Sequence, residues 1–126
     1  MGKYGHAAET AARSLAAGGG DPRTAWEVAV TKIFPNSRTS AEKGCPRVSF
    51  LALCGLGFVK GVPPGSYTRS VKTKAYVTRA VTELRSNPAM ANDEQGLWRT
   101  ITEGREIAPN HQMDVVATLW RKALIR

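Results

Sequence analysis

The sequence predicts an all-α fold, a compact single domain (residues 1–126) of five or six short helices around one core. Three observations carry this. Apolar residues recur at spacings of three and four through most of the chain, the period of a helix with one buried face. Glycine and proline cluster mostly between these stretches, where helices stop and restart. The length of 126 residues is that of one domain, with a core large enough to fold without a disulfide or metal staple.

The elements follow in order. Tyr4 to about Ala17 places Ala8, Ala11, Ala12 and Leu15 on one face, and Gly18-Gly19-Gly20 ends it. Asp21 caps the next helix and Pro22 fits its first position; Trp26, Ala29, Val30 and Ile33 form its apolar face, and Pro35 stops it. The stretch from Asn36 to Gly44 is polar, with room for one helical turn. Cys45-Pro46 opens a helix to about Cys54, terminated at Gly55 and Gly57. Its apolar run, Val48 to Cys54, predicts a central buried helix. "FVKGV" leaves room for a minor two-strand hairpin near 58–68, pairing with "SYT" across Pro63-Pro64-Gly65. From Ser70 the helical period returns with Val77, Ala80, Val81 and Leu84, and Asn87-Pro88 closes it. Asn92 and Gln95 form a capping box for a helix carrying Leu97, Trp98 and Ile101, which ends at Gly104. The last helix starts at Asn110, with Met113, Val116, Ala117, Trp120 and Leu124 on its stripe. Trp26, Trp98 and Trp120 fall on three helices and are expected to pack.

Charge is the main functional signal. The net charge is +8, and it is not spread evenly. Residues 60–86 hold six cations, Lys60, Arg69, Lys72, Lys74, Arg79 and Arg85, against Glu83 alone. The last forty residues balance, with five of each sign. Arg69, Lys72, Tyr76 and Arg79 fall at i, i+3, i+7 and i+10, a continuous helical stripe. Thr68, Ser70 and Thr73 add hydroxyls at its amino end, where free amides and the helix dipole favour an anion. This basic segment points to nucleic acid or another polyanion, because cations near a phosphate backbone release condensed counterions. The expected contact residues are Lys60, Arg69, Ser70, Lys72, Lys74, Tyr76, Arg79 and Arg85. A protein-interaction module is the alternative; a solvated basic face with Ser70 as a plain cap is the simpler reading.

Other chemistries find little support. Cys45 and Cys54, nine residues apart on one helix, sit about 13 Å apart along the axis, too far for a disulfide. His6 and His111 lie at opposite ends of the chain, and no CxxC or HxxxH spacing exists, so no metal site is expected. No GxxxxGK[ST] or GxGxxG phosphate loop is present. Cys45, at a helix amino end, is the least favoured option, a nucleophile in want of a base. No catalytic residue and no cofactor is expected, and the protein reads as a non-enzymatic binder. A winged helix-turn-helix fits poorly: "PRVSFLALC" offers a groove only Arg47 and Ser49 as polar side chains. No run approaches the length of about 20 apolar residues that spans a bilayer, and no signal peptide is recognised. The expected location is the cytoplasm. The oligomeric state is not legible.

"MGKYGHAA", "AW" with "IFP", and above all "KGCPRVSFLALCGLGFVKGVPPGSYTRS" resemble a family of small bacterial proteins with no assigned function. The likeness runs from Met1 to about Trp98. It implies a compact bacterial cytosolic domain and carries over no catalytic or binding residue.

Overall fold

The structure, a computed structural model, describes residues 2–126. It is all-helical. Helices α1 (Lys3–Gly18), α2 (Pro22–Ile33), α3 (Arg38–Ala41, a single turn), α4 (Gly44–Gly55), α5 (Val71–Ser86), α6 (Glu94–Ile101) and α7 (Gln112–Arg121) share one core, with a short 3-10 turn over Pro88–Asn92. Six of these have eight residues or more. Among the described residues no helix is long and apolar enough to cross a membrane.

Helix α4 is the centre. Ser49 to Cys54 are all buried, on every side of the helix, so its apolar run needs no amphipathic period. The one polar group there, the Ser49 hydroxyl, donates to the Cys45 carbonyl at 2.9 Å. Phe50 stacks on Trp26 of α2 at 5.3 Å between ring centroids. Each such buried side chain stabilises the fold by about 1.5–3 kcal/mol. Helix α7 packs against α1, α4, α5 and α6, and Gln112 to Leu119 are all buried.

The segment after α4 does not form the hairpin with 66–68. Val59 instead makes an antiparallel bridge with Ile125. Lys60 N–H donates to Leu124 O at 2.9 Å, and Arg126 N–H to Phe58 O at 2.8 Å. The carboxyl-terminal segment is the better partner because Val59 and Ile125 are both buried there. The proline-rich turn folds back on α4: Gly65 N–H donates to Gly55 O at 3.1 Å, and Arg23 reaches from α2 to Ser66 O at 3.2 Å. Gly55 permits this approach, since a Cβ there would lie 2.6 Å from Gly65 O.

Helix starts differ slightly from the sequence reading. Helix α4 begins at Gly44 after Lys43, so Cys45 lies in the first turn and is not its cap. Asp93, not Asn92, caps α6, accepting from Gly96 N–H at 2.9 Å; Asn92 is absorbed into the 3-10 turn. Helix α7 begins after His111, which sits at φ 66°. It ends at Arg121, so Leu124 lies beyond it.

Candidate polyanion-binding surface

Helix α5 organises the basic segment. Ser70 is its cap: Ser70 Oγ accepts from Thr73 N–H at 3.2 Å and donates to Thr73 Oγ1 at 2.9 Å. Tyr76, Val77, Ala80, Val81 and Leu84 are buried. At 100° per residue, Lys72 and Arg79 leave one flank of this buried face and Lys74 and Arg85 leave the other.

The two flanks have different fates. On the first, Tyr76 is only 7% exposed and meets Trp98 edge-on at 5.2 Å. Lys72 Nζ lies 5.9 Å from the Tyr76 ring centroid, a weak cation–π contact. Arg79 donates to Ile101 O at 3.1 Å and pairs with Glu103 at 3.3 Å. The expected stripe of Arg69, Lys72, Tyr76 and Arg79 is therefore interrupted: its aromatic is in the core and its last cation ties α5 to the end of α6.

On the second flank, Lys74 and Arg85 are eleven residues apart, three helical turns or about 16 Å. Arg85 donates to Arg126 O at 2.6 Å and lies 5.6 Å from the Phe58 ring centroid. The bridge of Val59 to Ile125 brings Lys60 to this same region, the carboxyl end of α5. Arg69 and Lys72 stay at the amino end. The eight expected residues thus divide into an amino-end group (Arg69, Ser70, Lys72, Lys74), a carboxyl-end group (Lys60, Arg85) and two residues held in packing (Tyr76, Arg79). Among the described residues Lys60, Arg69, Lys72 and Lys74 form no ion pair. Val71, between Ser70 and Lys72, is 79% exposed.

The cysteines stand apart from this surface. Cys45 is exposed and Cys54 buried, and burial pushes the Cys54 thiol up to about 12. No hydrogen bond joins the Cys45 thiol to a histidine or carboxylate among the described residues, and no group of three or more metal-ligating side chains forms there.

One polar junction was not foreseen. Asp114, 4% exposed, reaches from α7 to the start of α1. It accepts from Gly5 N–H at 2.8 Å, Gly2 N–H at 3.1 Å and Thr118 Oγ1 at 3.4 Å. A carboxylate there satisfies orphan amides and faces the positive end of the helix dipole. Gly5 is required by this approach, because a Cβ would overlap Thr118 Oγ1 and Asp114. Nearby Glu94 is held above its ordinary value, first by burial and then by the Asp114 charge, with Arg121 and His111 opposing. The only sequence trace of the junction is the pair of glycines in "MGKYG", three apart.

No curated protein and no solved structure matches the chain. The model of a family of unknown function, DUF6979, matches residues 1–126, and the chain belongs to that family.

Proposed function

We propose that the protein is a non-enzymatic binder of a polyanion, nucleic acid first among them, that lies along α5. The observation that carries this reading is that, of the six cations in residues 60–86, Lys60, Arg69, Lys72 and Lys74 form neither an ion pair nor a side-chain hydrogen bond among the described residues, while Arg79 and Arg85 are held. Their arrangement favours a polymer over a small anion. The groups at the two ends of α5 are too far apart for one phosphate. A nucleic-acid strand, with a charge every 3.4 Å or so, spans the roughly 16 Å from Lys74 to the far end of α5, where Lys60 lies beside Arg85, with about five phosphates. At the amino end, Arg69 and Lys72 flank the first turn of α5, where the dipole adds to their field. Lys74 and Arg85 share a flank that carries no acid of α5; Glu83 lies toward the other.

The test is a mobility-shift assay at low salt with duplex DNA, single-stranded DNA and RNA. K60Q/R69Q/K72Q/K74Q should lose binding, and R79Q should keep it, because Arg79 is engaged with Glu103. Absence of any shift with the wild-type chain removes the reading. Val71 favours a second one, since an exposed valine among cations suits an acidic protein surface with an apolar pocket. Binding to poly-glutamate but to no nucleic acid would favour that partner.

A further inference from the structure

A cleft lies over the outer face of α6. The loop after α6 turns sharply at Glu103 (φ 57°) and Gly104 (φ 73°) and folds back over Trp98. Three hydrogen bonds fix its wall. Trp98 Nε1–H donates to Ile107 O at 2.7 Å, Thr102 Oγ1 donates to Trp98 O at 2.7 Å, and Arg105 Nε donates to Thr102 O at 3.0 Å. The cleft has a volume of about 490 Å³ and is lined by Trp98, Ile107 and Pro109, with Arg99 and Arg105 at its rim. That volume falls in the range of about 300–1,000 Å³ typical of small-molecule sites. Trp98 is only 4% exposed and Tyr76 covers its ring from the α5 side, so it backs the cleft, and the apolar surface open to an occupant is that of Ile107, Ala108 and Pro109.

The rim has a net positive charge. Arg99 and Arg105 face one acid, Glu106, and neither arginine forms an ion pair among the described residues. Arg99 makes no side-chain hydrogen bond there either, and Arg105 commits only its Nε. A guanidinium free to offer two parallel N–H groups is suited to a carboxylate or phosphate. We infer that this cleft binds a small organic anion, its apolar body over Ile107, Ala108 and Pro109 and its charge on the Arg99 or Arg105 guanidinium. The site is independent of the polyanion surface and shares no residue with it.

The experiment uses the full chain labelled with ¹⁵N and follows the Trp98 indole N–H signal. The probes are benzoate, phenylacetate and phenyl phosphate, each against its uncharged analogue: benzamide, phenylacetamide and phenol. The anions should give saturable shifts of the Trp98 signal and bind at least tenfold tighter than the uncharged partners, on the order expected for one hydrogen bond to a charged group. R99Q and R105Q should each weaken the anion about tenfold; R99Q should leave the remaining spectrum unchanged because Arg99 is exposed, and R105Q should shift only the 102–107 loop that its Nε bond to Thr102 O holds. K74Q, on the opposite flank of α5, should have no effect. The ranking of phenyl phosphate against the carboxylates tells which anion the rim prefers. Equal binding of charged and uncharged probes would overturn the inference. So would indifference to both arginine substitutions, or no shift of the Trp98 signal by any probe at millimolar concentration.

Discussion

Replacing Asp114 tests the junction between the first and last helices. Asp114→Ala removes an acceptor used by Gly5 N–H at 2.8 Å and Gly2 N–H at 3.1 Å. Hydrogen bonds to a charged group contribute about 1.5–3 kcal/mol each. Two such bonds give a loss of roughly 3–6 kcal/mol, a large part of a total stability of about 5–15 kcal/mol. Asp114→Asn keeps the shape and one carbonyl acceptor. It gives up the charge and one bond, so it should lose about half as much. Urea unfolding followed by far-UV circular dichroism measures both, with the m-value checking that two-state behaviour persists. If D114A fails to fold, D114N still gives a number. A loss below about 1 kcal/mol in either variant would mean that Asp114 is solvated, and that Gly2 and Gly5 are small for another reason.

Three further outcomes are expected. In the native protein a thiol reagent at pH 8 should modify Cys45 quickly and leave Cys54 untouched, because Cys45 is exposed and the Cys54 thiol lies near 12; denaturant should expose the second thiol, and two fast equivalents in the native state would contradict the buried α4. Glu94 is raised from its ordinary value of 4.5, so its contribution is fully present below that pH and is lost as pH rises through the folded value. Denaturation midpoints at pH 4.5 and 7 should therefore move in favour of E94Q, relative to wild type, as pH rises; a constant difference refutes this. Gly55→Ala puts a Cβ 2.6 Å from Gly65 O and should cost about 1–3 kcal/mol, with the spectrum of the 63–67 turn displaced.

The helices were legible because their causes are local. The 3.6-residue period, Asp21-Pro22, Ser70 and the Gly18-Gly19-Gly20 stop act within a few residues. The "GLGFVKGVPPG" segment misled because its partners are distant. Val59 is satisfied by Ile125, and Gly55 is small because Gly65 returns to it; neither relation has a short-range pattern. The same holds for the basic surface. Helical spacing placed Arg69, Lys72, Tyr76 and Arg79 on a single stripe, and that spacing is real. It could not reveal that Trp98 claims Tyr76 and that Glu103 claims Arg79. Lys74 and Arg85, three turns apart on the other flank, make the longer basic line. Its length follows from the period, but its link to Lys60 comes from the closing strand-like contact at residue 125. The cleft over Trp98 left no sequence trace, since it depends on how the loop after α6 folds back.

Lys60, Arg69, Lys72 and Lys74 meeting a polyanion along α5 would each displace counterions, and the salt dependence of binding tests this directly. Fluorescence anisotropy with duplex DNA, repeated from low to physiological salt, yields the slope of log affinity against log salt. Four phosphate contacts predict a slope of about −3.6 for duplex DNA and about −2.8 for a single strand. Each single substitution among Lys60, Arg69, Lys72 and Lys74 should make the slope shallower by nearly one unit, with no change in R79Q. A slope near zero, or one that is the same in K60Q/R69Q/K72Q/K74Q as in the wild-type chain, would contradict the account.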